Sequence, residues 1–189
     1  MNYTLFWKWK TWQKLLLTCA LLAVCSYSSS KTPSEYDVKL VYLYNFTRFI
    51  NWPDSAFNSP EAPYSICVMG DIPSRESAKM LEQKRSRNRP IAIHFLDSDK
   101  ATDTCHILFI TKSIEFAAMS NITKRTSPYT LTIGESPGFA KHNGEIGFLL
   151  DNRNHVRVEI NLHRAKQKEI DMRAKLLEIA RKVYREGED

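Results

Sequence analysis

The stretch Tyr64-Ser65-Ile66-Cys67-Val68-Met69-Gly70 (YSICVMG, 64–70) decides the fold. It carries no charge and only the two hydroxyls of Tyr64 and Ser65, and it stops at a glycine. A half-buried strand alternates apolar and polar residues; a near-continuous apolar run this short reads as a strand buried on both faces. The same profile returns in HILFI (His106–Ile110), and related runs occur at IAIHFL (Ile91–Leu96), YTLTI (Tyr129–Ile133) and EIGFLL (Glu145–Leu150). Helical segments are expected between them: Ser74–Glu82, with Ser74 as N-cap, and Ser113–Thr126. Buried strands alternating with helices predict an α/β fold with a mostly parallel β-sheet flanked by helices on both faces. The basic segment Lys84–Pro90 and the turn-rich segment Gly134–Asn143 read as loops.

Toward the C-terminus the pattern changes. In His155–Ile160 the residues Val156, Val158 and Ile160 alternate with Arg157 and Glu159, and the alternation extends to Asn161. Asp151-Asn152-Arg153-Asn154 has hairpin chemistry, so a C-terminal antiparallel β-hairpin is expected at one sheet edge. Met172–Tyr184 reads as a closing helix, with Met172, Leu176, Ile179, Ala180 and Val183 on one face.

Toward the N-terminus lies EYDVKLVYLYNFTRFINWP (Glu35–Pro53), with Tyr36, Tyr42, Tyr44, Phe46, Phe49 and Trp52. Tyr36–Ile50 is expected to be helical, stopped by Asn51-Trp52-Pro53 because proline cannot continue a helix and restricts the residue before it. Its aromatic density exceeds the need of one core stripe. Leu40, Leu43, Thr47 and Ile50 share one face, whereas Val38, Val41, Tyr42, Asn45 and Phe49 lie largely elsewhere. One set is core and the other is a candidate partner or dimer surface; the pattern does not choose. Val38, Val41, Tyr42 and Phe49 are the candidates on this helix. Arg157 and Glu159 are candidates on the last strand, where a solvated polar face is the plainer reading.

Residues 1–30 read as a signal peptide. Lys8, Lys10 and Lys14 form a positive region without acids, Leu15–Val24 is an apolar core, and small polar residues follow from Ser26 to Ser30. The apolar run is short for a membrane span. The expected mature product, residues 31–189, is read as a single domain. The whole chain has formal charge +6, and losing three lysines leaves +3, a mild imbalance that does not point to nucleic acid. Export also removes Cys19 and Cys25. Cys67 and Cys105 are left, an even pair for which one disulfide is the default in an oxidising compartment and two buried thiols the alternative.

Three chemical motifs are absent from the sequence: no G-x-x-x-x-G-K, no G-x-G-x-x-G and no H-E-x-x-H; the spacing G-x-S-x-G occurs once, as Gly134-Glu135-Ser136-Pro137-Gly138 in the turn-rich segment. The five histidines lack metal-ligand spacing. His106 beside Cys105 could form a thiolate–imidazole pair, but a strand-start residue next to a disulfide is the simpler reading. No catalytic residue, metal or cofactor is expected.

Six segments in order carry a family resemblance: YNFTRFINWP (Tyr44–Pro53), ICVMG (Ile66–Gly70), CHILFI (Cys105–Ile110), LTIGESPGFA (Leu131–Ala140), GEIGF (Gly144–Phe148) and VRVEINL (Val156–Leu162). With them the chain resembles the YfiR-like proteins, small bacterial periplasmic regulators. The resemblance implies a Cys67–Cys105 disulfide. A second, later disulfide of the founding member has no counterpart, since no cysteine follows Cys105. It further implies localisation in the periplasm and inhibition of an inner-membrane diguanylate cyclase through its periplasmic region, lowering cyclic-di-GMP and biofilm formation. An OmpA-like outer-membrane lipoprotein as antagonist, and a homodimer, are also implied. A periplasmic small-ligand-binding sensor module is the alternative function.

Overall fold

The structure, a computed structural model, describes residues 33–97 and 104–187. The expected signal peptide lies outside the described residues.

The chain enters helix α1 (Glu35–Phe49) through a capping box. The Ser34 hydroxyl accepts from the Asp37 N–H at 3.2 Å, and the Asp37 carboxylate accepts from the Ser34 N–H at 2.9 Å. Each side chain satisfies a backbone donor that the first helical turn leaves open. The helix ends where Ile50 turns extended, before Pro53. Strand β1 (Ile50–Asn51) then pairs antiparallel with β9 (Asp171–Met172).

The main sheet is built around β2 (Tyr64–Met69), buried along its whole length as its composition requires. Helix α2 (Arg75–Lys79), with Ser74 as N-cap, leads by way of β3 (Arg85–Ser86) to β4 (Arg89–Leu96) on one side of β2. On the other side come β5 (Ile107–Ile110), α3 (Phe116–Lys124), β6 (Leu131–Gly134), α4 (Phe139–His142) and β7 (Ile146–Leu150). β4, β2, β5, β6 and β7 run parallel in that spatial order. β8 (Val156–Asn161) returns antiparallel to β7, forming the expected hairpin. Helices α5 (Leu162–Gln167) and α6 (Ala174–Glu178) follow, and β10 (Lys182–Tyr184) pairs parallel with β8. The mixed sheet has eight strands in the order β10-β8-β7-β6-β5-β2-β4-β3.

Two hydrophobic layers sandwich this sheet. Leu40, Leu43, Phe46 and Ile50 of α1 share a cluster with Ile66, Val68, Phe109, Phe148, Val158 and Ile160. On the opposite face Met119 and Ile122 of α3, with Phe139 of α4, cover Cys67, Met69, Leu108 and Ile110. Period-two alternation along the strands separates the two sets. Cys67 and Cys105 are joined in a disulfide, Cα–Cα 5.8 Å, tying β2 to the residues entering β5.

Three segments differ from expectation. The closing helix is confined to Ala174–Glu178, and the chain then becomes β10. An unpaired edge leaves a row of backbone donors and acceptors open. β10 meets that demand on β8, and Ile179, expected on the buried helical face, is 55% exposed. The basic segment is a hairpin, β3 with β4, closed by Arg87 and Asn88 at φ 47° and 65°. Two successive positive φ values suit the tight turn of a twisted hairpin. The turn-rich segment after β6 contains α4, entered through Gly138 at φ 74°.

Candidate functional site

The path from β2 crosses through α2 on the α1 face, whereas the path from β5 crosses through α3 on the other. The carboxyl ends of β2 and β5 therefore diverge. In doubly wound sheets such a switch point opens the crevice that takes ligands. Gly70 ends β2 at φ 96°, where a Cβ would come within 2.3 Å of the Thr111 hydroxyl and 2.6 Å of the Ser113 hydroxyl. The Ser113 hydroxyl accepts from the Asp71 N–H at 2.8 Å.

This chain places its own charges there. Glu135, just after β6, accepts from the Lys112 N–H at 2.8 Å and from the Tyr36 hydroxyl at 3.0 Å. Lys39 of α1 donates to both Glu135 and Glu35. The Lys39 and Glu135 side chains are 4% and 2% exposed, so the pair is sealed from water. Burial, followed by the adjacent Glu135 carboxylate, pushes the Tyr36 phenol well above its ordinary range. The first turns of α1 thus fill the switch-point crevice with an ion pair. None of Lys39, Glu135 and Glu35 was singled out in the sequence; the available signal was a lysine on the apolar side of an amphipathic helix.

A second polar centre lies at the other end of the strands. His106 is 8% exposed and enclosed by aromatic rings. Phe57 stacks on it at 4.4 Å between centroids, and Tyr64 and Trp52 approach edge-on at 5.8 and 6.3 Å. Its Nδ1 accepts from the Ser65 N–H at 3.1 Å, which assigns the proton of the neutral ring to Nε2. Burial lowers its pKa to about 4; the Ala56 carbonyl opposes that shift, and Arg89 adds to it. No acceptor meets Nε2 in hydrogen-bonding geometry. The Arg89 guanidinium covers Phe57 at 3.8 Å and donates to the carbonyls of Ser59 and Ala62. Beside His106 opens a cavity of about 220 Å³. The disulfide occupies the Cys105 sulfur, so the thiolate–imidazole alternative does not arise in this structure.

A third buried charge is structural. Glu145 accepts from the Thr132 N–H at 2.7 Å and the Thr132 hydroxyl at 2.8 Å, and pairs with Lys168 at 3.0 Å. It locks the start of β7 to β6. Gly144 beside it leaves room for the Phe139 ring, which a Cβ would meet at 2.3 Å.

The six surface candidates fall into two groups. On α1 the face with Leu40, Leu43, Thr47 and Ile50 is core. Of the other face, Val41 is 56% exposed, while Val38, Tyr42 and Phe49 are half-buried at its margin. The Tyr42 ring packs on Phe46 and Phe148 at 5.9 and 5.8 Å. Arg157 and Glu159 point to the opposite side of the sheet, because Val156, Val158 and Ile160 face the α1 layer. Arg157 pairs with Asp151 at 2.8 Å, and Glu159 accepts from the Tyr184 hydroxyl of β10 at 3.4 Å. The two groups form no common patch. Among the described residues no cluster of three or more His, Cys, Asp or Glu side chains could hold a metal ion, and no helix is long and apolar enough to cross a membrane.

The family model described as YfiR/HmsC-like matches residues 36–181, from the first turn of α1 to the threshold of β10. The chain belongs to the YfiR/HmsC-like family. This family is one of periplasmic regulators rather than enzymes, and its match takes in α1, the disulfide and both buried centres. No curated protein matches the chain. Among solved structures, a Bacteroides fragilis protein described as an NADP oxidoreductase aligns with 10% identity and a TM-score of 0.31, over 65% of this chain and 60% of that one. This YfiR/HmsC-like chain therefore spans under two thirds of that protein's length, and at that TM-score the likeness carries no argument.

Proposed function

We propose that the protein is a periplasmic signalling inhibitor that binds the periplasmic region of an inner-membrane diguanylate cyclase and lowers cyclic-di-GMP. The observation that carries this reading is the family match across residues 36–181. Inhibition by binding requires no catalytic group. It requires only that the inhibitor bind the inactive state of its target more tightly than the active one. Filling of the switch-point crevice by Lys39 and Glu135 is in keeping with that: the usual ligand position of a doubly wound sheet is taken by the protein itself.

The contact surface we favour is centred on Val41 of α1, with Val38, Tyr42 and Phe49 at its margin. An apolar side chain 56% exposed on the face of α1 turned away from the core is a suitable anchor for a cyclase or for a second copy of the chain. Arg157 and Glu159, on the opposite side, would serve a separate contact, for which an OmpA-like lipoprotein is the candidate. The test is association of the oxidised protein with the purified periplasmic region of an inner-membrane diguanylate cyclase from the same organism. Val41→Lys is expected to weaken that association at least about ten-fold, equivalent to roughly 1.4 kcal/mol. Undiminished binding by a folded Val41→Lys protein would remove α1 from the interface.

A further inference from the structure

The exposed side of α1 runs into a cationic hairpin. Val41 and Arg48 lie two helical turns apart on one line of α1, and both are exposed. Tyr44 stands between them, with the Arg48 guanidinium 5.9 Å from its ring centroid. The β3–β4 hairpin is fastened to this side twice. The Tyr44 hydroxyl donates to the Arg85 carbonyl at 3.1 Å, and the Arg87 guanidinium donates at 2.8 Å to the carbonyl of Arg48, in the last turn of α1. Carbonyls there lack helical partners and form the negative end of the helix dipole, which a cation suits. The Arg85 guanidinium donates in turn to the Asn88 carbonyl across the hairpin. Among the described residues, none of Arg48, Lys84, Arg85 and Arg87 pairs with a carboxylate. Glu82, the acid nearest to the hairpin in sequence, accepts instead from the Ile93 N–H at 3.0 Å. Arg89 belongs elsewhere, over Phe57 and on the carbonyls of Ser59 and Ala62.

We infer that the exposed side of α1 and the β3–β4 hairpin form one docking surface for an acidic protein segment, which sets an apolar side chain against Val41 and carboxylates against Arg48 and Arg85. The choice of Val41 as the apolar end rests on the contact surface proposed above; the cationic end stands on the hairpin alone. Like charges gathered without counter-ions repel one another, and an acidic partner relieves that repulsion. A guanidinium held by one carbonyl keeps its remaining N–H donors for a carboxylate, which its planar fork meets with two bonds. Backbone carbonyls already orient Arg85 and Arg87, so little side-chain freedom is lost when the partner arrives. An anionic lipid surface fits less well: it attracts point charges through its surface potential and makes no use of fixed forks. Complementary charge also speeds encounter, and binding of this kind weakens with salt.

The experiment follows the backbone amide resonances of the oxidised protein, expressed from its full sequence. The probe is a capped heptapeptide with a central leucine flanked by glutamates. Its glutamine analogue controls for charge, and vesicles of phosphatidylglycerol and phosphatidylethanolamine control for a membrane. The expected result is a saturable shift with the glutamate peptide, confined to the neighbourhoods of Val41, Arg48 and the hairpin, and no response to the glutamine peptide or the vesicles. Affinity is expected to fall at least about ten-fold between roughly 30 and 300 mM salt, and by about as much when Arg48→Gln is combined with Arg85→Gln. Lys84→Gln with Arg85→Gln serves if that pair misfolds. No shift up to about 10 mM peptide, equal binding of the glutamine peptide, binding undiminished in a folded charge variant, or stronger binding to vesicles would each overturn the inference. In the cyclase assay, a folded charge variant that binds as well as wild type, while Val41→Lys does not, would overturn the inference and leave the cyclase reading standing. Peptide binding at the hairpin by a wild-type chain that ignores the cyclase region would support the inference and remove the cyclase as its partner.

Discussion

Lys39 and Glu135 show how much a single pair of side chains can fix. Both are sealed from water; Lys39 is the counter-charge of Glu135 and shares its ammonium with the more exposed Glu35. Removing one partner of a buried pair strands the other. Lys39→Met is therefore expected to destabilise the fold by about 3 kcal/mol, and Lys39→Met with Glu135→Leu by clearly less, as read from urea unfolding. Additive losses in the double variant would show that the pair is not coupled. His106 makes a second residue-scale prediction. Its pKa is held at about 4 in the fold against 6.5 for an unperturbed ring. Between those values the unfolded chain binds more protons than the folded one, so stability rises with pH. The contribution is complete above pH 6.5 and is lost as pH falls through about 4, by up to about 3 kcal/mol. His106→Gln is expected to flatten that arm of the unfolding profile, and an unchanged arm would assign the acid sensitivity to other groups. Neither role was legible in the sequence. A lysine within an apolar helix pattern and a histidine at a strand start have many meanings, and only the long-range partners Glu135 and Ser65 select one.

At the scale of elements, sequence periodicity was most reliable where one geometry dominated. YSICVMG became the fully buried β2 because a strand covered on both faces needs no alternation. The alternation of Val156, Val158 and Ile160 placed β8 correctly for the same reason in reverse. Where several demands competed, periodicity misled. The helical spacing of Met172, Leu176 and Ile179 was real, but the open edge of β8 drew the chain into β10 after one short helix. On α1, aromatic residues lie on both sides, and the core face is the one whose Phe46 ring stacks on Phe148 of the sheet, which in turn packs edge-on against Phe109. Two element-scale predictions follow from the packing. Leu43→Ala is expected to cost about 3 kcal/mol, whereas Val41→Lys stays within about 0.5 kcal/mol, by thermal or urea unfolding. Comparable losses at both positions would mean that α1 is buried on both faces. Reduction of Cys67–Cys105, which closes a separation of 38 residues, is expected to lower stability by about 4 kcal/mol in the chain-entropy model. Superimposable unfolding curves with and without reductant would contradict it.

At the scale of the whole molecule, the fold divides its tasks between two ends and two faces. The carboxyl end of the sheet is closed by the Lys39–Glu135 pair, and the amino end holds the aromatic enclosure of His106 with its cavity. The α1 face displays Val41, and the opposite face carries Arg157 and Glu159. Most of this arrangement was beyond sequence reading because it depends on which strand ends meet in space. The fold class was legible from strand composition and order, and the family from six short segments. Cyclic-di-GMP in cells lacking this gene, measured with and without the membrane cyclase that the protein binds, decides whether the chain is an inhibitor. The nucleotide is expected to rise in the deletion strain, to return to baseline when the cyclase is also removed, and to be brought back to baseline by the wild-type chain but not by Val41→Lys. Unchanged cyclic-di-GMP in the deletion strain, or a rise that persists without the cyclase, would contradict it.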